Sequence, residues 1–569
     1  MRRTHNRIAL CMTILALVAG CSGGGGGSSQ APGTGGGGGG GGGTVVAPTQ
    51  AQASRLLAQA TFGATTADIS SVVARGHAGW IEEQFNKPQK LHRAYMDGVV
   101  AAAPGTSFSA SHFHESFWQQ AATGEDPLRQ RVAFALSQIF VVSLQDSNVA
   151  NYPRGVASYY DTLATHAFGN YRQLLEAVSL HPMMGIYLSS LRNQKESGTR
   201  VPDENYAREV MQLFSIGLVE LNQDGTPRLV NGKPVETYTN ADIAGLAKVF
   251  TGFSWAGPDK SDTRFYGGNA DPNRDWMPMQ GYPKFHSVTE KSFLGVTVPA
   301  QSSADPAASL KIALDRLAAH PNVGPFIGRQ LIQRLVTSNP SPAYVARVAA
   351  AFNNNGSGER GDMKAVIRAI LLDPEARNDP ADTELQAGRL REPVLRLANW
   401  MRSFGAASAS GRFLLGNLDD PLFSIGQTPM RSPSVFNFYR PGYVPPNTAI
   451  AAAGLVAPEM QITAETSVVG YLNTMRGTVQ NGIGSNNDIK ADYAAEIALA
   501  DNPDALLDRV SLLLMAGRMP TSLRDPIKGA INSVAISATD ATAAATARRN
   551  RVYLAVFLTM ASPEYLVQK

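Results

Sequence analysis

The stretch "DENYAREVMQLFSIGL", Asp203 to Leu218, sets apolar and charged residues at helical spacing. At 100° per residue, Tyr206, Ala207, Val210, Met211, Leu213, Phe214 and Leu218 share one broad arc. Glu204, Asn205, Arg208, Glu209, Gln212 and Ser215 take the other. Glu204 precedes Arg208 by one helical turn, the order that favours an ion pair. The pattern predicts an amphipathic helix. Its ionic face either meets water or is neutralised inside the protein by neighbouring elements.

Helical signals continue on both sides. Thr65 and Asp68 have capping-box spacing, and Gly76 suits a helix stop. Asp126–Pro127, Asp305–Pro306 and Ser341–Pro342 each pair a capping side chain with proline at the first helical position. Alanine, the best helix former, is abundant in the adjoining segments. "DALLDRVSLLLMAG" and "NRVYLAVFLTMASPEY" predict two more helices near the end. One segment differs: "VELNQDGTPRLVNGKPVETYT" holds Asp224–Gly225 and Asn231–Gly232, both hairpin-turn dipeptides. It hands over to Thr239 and Asp242, again at capping-box spacing. Residues 257–281 read as a long loop, and "GAASASGR" (Gly405 to Arg412) as a softer break. The expectation is a mainly α fold, a large multi-helix domain with a small β-hairpin insertion at about residues 219–238. Its main helical domain would span 51–404 and a C-terminal helical lobe 405–569.

The amino terminus reads as an export signal. Arg2, Arg3 and Arg7 precede an apolar run, Ile8 to Ala19, too short to span a bilayer. It ends in "VAGC", Val18 to Cys21, which resembles the lipobox of bacterial lipoproteins. That resemblance implies a signal peptide over residues 1–20, lipidation at Cys21 and attachment to a membrane through the lipid. Ser22 after the cysteine implies the outer membrane of a Gram-negative cell. Residues 21–50 then form a glycine-rich linker, whose coil from Ser22 to Thr44 reaches about 25–30 Å.

Composition excludes several function classes. Cys11 and Cys21 are the sole cysteines. With one in the signal and one lipidated, no thiol remains for a disulfide, a nucleophile or a thiolate metal site. The formal net charge is +4 and three of the positive charges are in the signal, so the mature chain is near neutral. That argues against nucleic acid as a partner. No GxxxxGK[ST] loop and no HExxH occurs, and no cofactor is expected. "GFSWA" (Gly252 to Ala256) ends a helix rather than joining strand to helix, so it is a turn and not a nucleophile elbow. "SHFHES" puts His112 and His114 close together, but a helix would make them diverge.

Several motifs carry a family resemblance. They are "LLAQATFGAT" (Leu56 to Thr65), "HAFGNYRQLLEAVSLHPMMGIYL" (His166 to Leu188) and "DENYAREVMQLFSIGL" itself. Further along, in order, stand "YTNADIAGLAKVFTGFSW" (Tyr238 to Trp255), "KFHSVTEKSFLG" (Lys284 to Gly295) and "SPSVFNFYRPGYVPP" (Ser432 to Pro446). Together they resemble the bacterial family catalogued as domain of unknown function 1800, over nearly all of Ser54 to Lys569. Some members carry a His-x-His pair in the helix aligned with "ALSQIF". Ser137 and Ile139 stand there in this chain, which weakens any metal role carried over.

The polar positions of these motifs define the candidate site: His166, Asn205, Arg208, Glu209, Asp242 and His286, with Asn170 beside them. A buried network of such groups locks helices together. A cleft would instead make His166 or His286 a proton carrier and Glu209 its partner. The aromatics of "VFNFYRPGY" either stack a sugar or peptide or pack their loop on the core. Two function classes fit these features. One is a binding or assembly module with an envelope protein or polymer as partner. The other is a hydrolase acting on an envelope or extracellular polymer.

Overall fold

Short polar caps start many, though not all, of the helices among the described residues. The computed structural model describes residues 47–381 and 383–569. The signal segment, Cys21 and the glycine tract lie outside the described residues. Thr49 opens the first helix, Gln50–Ala60, with a complete capping box to Gln52. Thr65 caps Thr66–Phe85, Asp305 caps Pro306–Ala319, and Ser341 caps Pro342–Asn353. Thr239 and Asp242 close a capping box on Asn240–Val249. Two sequence signals act otherwise. Gly76 takes φ 70° and ψ 166° and interrupts Thr66–Phe85 without ending it. Asp126 makes no capping bond to Pro127–Ser137; its carboxylate accepts from the Gln130 side chain instead.

The described residues are about 52% helical, in 24 α-helices with only short two-stranded antiparallel sheets between them. The hairpin insertion pairs Leu229–Val230 with Lys233–Pro234 around Asn231 and Gly232, both at positive φ. The bridge Val219–Glu236 extends it towards its base, and the bridge Leu221–Pro227 closes the preceding turn at Asp224–Gly225. Near 405–412 the chain stays within one compact unit covering 47–569, where Ala407–Ser408 pairs with Ile489–Lys490. One continuous apolar core runs from Ala53 to Tyr565. Its largest members, Trp80, Trp118 and Trp400, are almost fully buried. Among the described residues no helix is long and apolar enough to cross a membrane.

The predicted amphipathic helix spans Asn205–Gln212. Tyr206, Ala207, Val210 and Met211 are at most 1% exposed and bind it to the core. Beyond it, Gly217 at φ 71° turns the chain out towards the hairpin. A Cβ at Gly217 would come within 2.8 Å of the Phe326 ring, so this turn accepts only glycine without displacement.

Candidate functional site

That turn is one wall of a cleft of about 440 Å³. The wall carries Gln212, Leu213 and Leu218 from the Asp203–Leu218 stretch, and Val219 and Leu221 from the hairpin base. The helix Val323–Leu335 supplies Phe326, Arg329, Gln330 and Arg334. Gln138 and Ile139, just past Pro127–Ser137, and Phe436, Arg440 and Pro441 of the aromatic turn close it. A volume of this size lies within the range of small-molecule sites.

Side-chain amides fix the walls to one another. Asn322 donates to the carbonyls of Ile216 (2.8 Å) and Val219 (2.7 Å) and accepts from the Leu221 amide (2.9 Å). Gln333 donates to the carbonyls of Ser338 and Pro441, at 3.0 and 3.2 Å, which holds the aromatic turn against the helix. Arg440 lies 4.5 Å over the Phe436 ring. Phe436 therefore both packs the turn and faces the cleft.

Behind the cleft lies a buried ionic cluster. Arg389 donates to Glu459 through Nε (2.9 Å) and Nη2 (2.7 Å), and to Glu392 (3.2 Å). Glu392 also accepts from the side chains of Gln138 and Gln427. Arg131 and Arg389 both donate to the Arg334 carbonyl. Arg334 in turn donates to the carbonyls of Gln330 (3.1 Å) and Gln138 (3.0 Å). Burial pulls the Arg131 guanidinium down to about 10, and the nearby Arg389 charge acts in the same direction. Burial also disfavours charge on Arg389, but Glu459, Tyr439 and Glu392 outweigh it and leave its pKa raised. The Glu459 carboxyl is raised, by burial above all.

The residues singled out from the sequence occupy several environments. Glu209 is 8% exposed, and its Oε2 is buried without a hydrogen-bond partner among the described residues. Burial raises its pKa, with Arg208 opposing. Arg208 and Glu204 form the expected pair at 3.4 Å, but their side chains are 42% and 45% exposed. The ionic face of the helix is therefore divided, with its outer pair in solvent and Glu209 turned inward. Asn205 is exposed and donates to the Ser189 hydroxyl.

The remaining candidates lie outside the lining of the cleft. Asp242 closes its own capping box and accepts from the Leu294 amide at 2.7 Å. Burial pushes its carboxyl up, but these hydrogen bonds prevail and leave the pKa lowered. Asn170 caps Tyr171–Leu180 and donates to Glu359 and to the Arg360 carbonyl. His286 is fully buried, with Nδ1 2.8 Å from the Thr251 carbonyl and Nε2 3.1 Å from the Ser309 hydroxyl. Burial lowers its pKa to about 4. His166 is half-buried at the end of Pro153–His166, and burial lowers its pKa too. No hydrogen bond joins His166, His286 and Glu209 among the described residues. Nor do the described residues contain a group of three or more His, Cys, Asp or Glu side chains placed to hold a metal.

Arg329, Arg334, Phe326 and Gln330 do not stand out in the sequence because their helix looks like any amphipathic helix. The available signal was arginine recurring on one helix, at 329 and 334, with no acid between them. A search of curated proteins and of solved structures finds no match. A family model described as protein of unknown function (DUF1800) matches residues 55–567. The match takes in every segment that lines the cleft, and the chain belongs to that family.

Proposed function

We propose that this protein is a lipid-anchored binding module of the bacterial cell envelope, and that the cleft beside Gly217 is its ligand site. The observation that carries the reading is the convergence of three motif segments on one concave, largely apolar wall: the 203–218 stretch, the "ALSQIF" segment and the aromatic turn. Structural needs alone do not require such a wall to stay open, since side chains of core size would fill it. The lipobox-like "VAGC" and the glycine tract support attachment to a membrane with the folded body held clear of it. The hydrolase reading asks His166 or His286 to move protons with Glu209. His286 has both ring nitrogens engaged in a sealed site, which favours binding over turnover.

The chain from Thr44 onward contains the whole compact unit with its continuous core. Metals, glycans and peptides would be screened against it by thermal shift, with Phe436→Ala as the control. A cleft ligand raises the melting temperature of the unsubstituted chain and not of Phe436→Ala. Hits that stabilise both equally would place binding elsewhere. Release of product from any hit would move the protein to the hydrolase class. Palmitate labelling in cells tests the anchor: label in the parent chain, none in Cys21→Ser.

A further inference from the structure

The cleft has a marked charge bias. Its lining includes Arg329, Arg334 and Arg440 and no aspartate or glutamate. Arg329 and Arg440 are exposed and form no ion pair among the described residues. Most of the other arginines among the described residues behave differently. Arg172, Arg347, Arg412 and Arg524, for example, each meet a carboxylate within 2.9 Å.

The buried layer beneath is also rich in donors. Arg131, Arg334 and Arg389 stand against Glu392 and Glu459, three guanidinium groups to two carboxylates. Two donors bordering the cleft have no acceptor among the described residues: Gln330 Nε2 and Arg334 Nε. Their residues are 8% and 3% exposed. A buried donor without an acceptor is unfavourable, and these two outnumber the one orphaned acceptor among the described lining residues, Gln138 Oε1. The remainder of the surface is apolar, with Leu213, Leu218, Val219, Phe326 and Phe436.

We propose that the cleft binds a small molecule with an apolar body and one carboxylate, the carboxylate meeting the free guanidinium groups of Arg329 and Arg440. The inference rests on the cleft being the ligand site. Arginine suits this task because its planar donors match both carboxylate oxygens and it stays charged at any working pH. The apolar wall supplies contact area, and the charge bias decides between ligands that differ only at one end. Uncharged sugars and cations lack that complement.

Calorimetry with the chain from Thr44 onward tests this with three probes sharing a ten-carbon tail: decanoate, decanol and decyltrimethylammonium, each below its micelle-forming concentration. Decanoate is expected to bind at one site per chain, about tenfold or more tighter than decanol, and the ammonium probe more weakly than either. Added salt should weaken decanoate and leave decanol unchanged. The double variant Arg329→Gln/Arg440→Gln alters two exposed side chains, so its melting temperature should hold. Its affinity for decanoate should fall to that for decanol. If decanol matches decanoate, or the double variant keeps full decanoate affinity, the carboxylate inference fails. If Phe436→Ala then weakens both probes, the cleft still stands as the ligand site. If no probe binds, the inference fails, and the thermal-shift screen with Phe436→Ala decides separately whether the cleft is the ligand site.

Discussion

Glu209 is buried close enough to Tyr187 and Tyr238 for its charge to push both phenols up, after burial has done most of that work. Its own folded-state pKa is raised, so ionisation costs stability above that pKa and costs nothing once the pH falls below the ordinary glutamate range. Glu209→Gln should therefore stabilise the fold at neutral pH, by about 1 kcal/mol, with the gain fading as the medium is acidified towards pH 4.5. Urea melts at pH 7.5 and 4.5 check it; an equal effect at both would show that ionisation is not the cause. The neighbouring Arg208 gives the contrast. Its pair with Glu204 is solvent-exposed, and Arg208→Ala should change stability by no more than about 0.5 kcal/mol. A loss of several kcal/mol in the same melts would reveal a buried role that the exposed geometry does not provide.

At the scale of the element, Asn205–Gln212 is short, and its position depends on the turn at its carboxyl end. Gly217 takes a left-handed conformation against Phe326, and Asn322 holds the neighbouring residues by three hydrogen bonds. Gly217→Ala should destabilise the protein by about 1–3 kcal/mol, through backbone strain and displacement of the ring. It should also weaken whatever binds in the cleft, because Phe326 is part of its wall. Parallel melts and binding titrations would show both losses. A destabilised variant with full affinity would separate the turn from the site. The element also shows how far periodicity reaches. The apolar stripe predicted which side chains enter the core: Tyr206, Ala207, Val210, Met211 and Phe214 do so, but Leu213 is only half-buried and Leu218 is 57% exposed. Periodicity could not divide the polar face, because Arg208 and Glu209 are both simply polar on a helical wheel. Packing around the helix left one outside and drew the other in.

Over the whole molecule, histidine dominates the response to acid. Burial lowers the pKa of His92, His114 and His286 to about 4 and of His181 to about 3. Between their ordinary value near 6.5 and these values, the unfolded chain takes up protons that the folded chain refuses. Stability is lost as the pH falls through that window. Asp126 and Asp161 act in the opposite sense, since burial raises them to about 6 and about 7. Burial likewise lowers His77, His166 and His320 and raises Glu209, Asp275 and Glu459, so seven histidines stand against five carboxyls and the unfolded state holds the extra protons near pH 5. The melting temperature should accordingly fall steeply from pH 6 to pH 4.5. A flat profile across that interval would mean that these histidines are protonated in the folded protein.

Helix starts, the hairpin and the family were legible in local sequence because capping, turn chemistry and apolar periodicity act over only a few neighbouring residues. Gly76 shows the limit of such signals: its freedom at positive φ permits a stop or a kink, and only the packing after it selected the kink. The cleft was beyond local reading altogether. Gln138, Gly217, Arg329 and Phe436 belong to four separate segments, each ordinary in its own surroundings. Their apolar faces and unpaired guanidinium groups acquire a common purpose only when the chain folds and brings them to one wall. Concavity and charge balance depend on distances between segments, and no short-range rule encodes those.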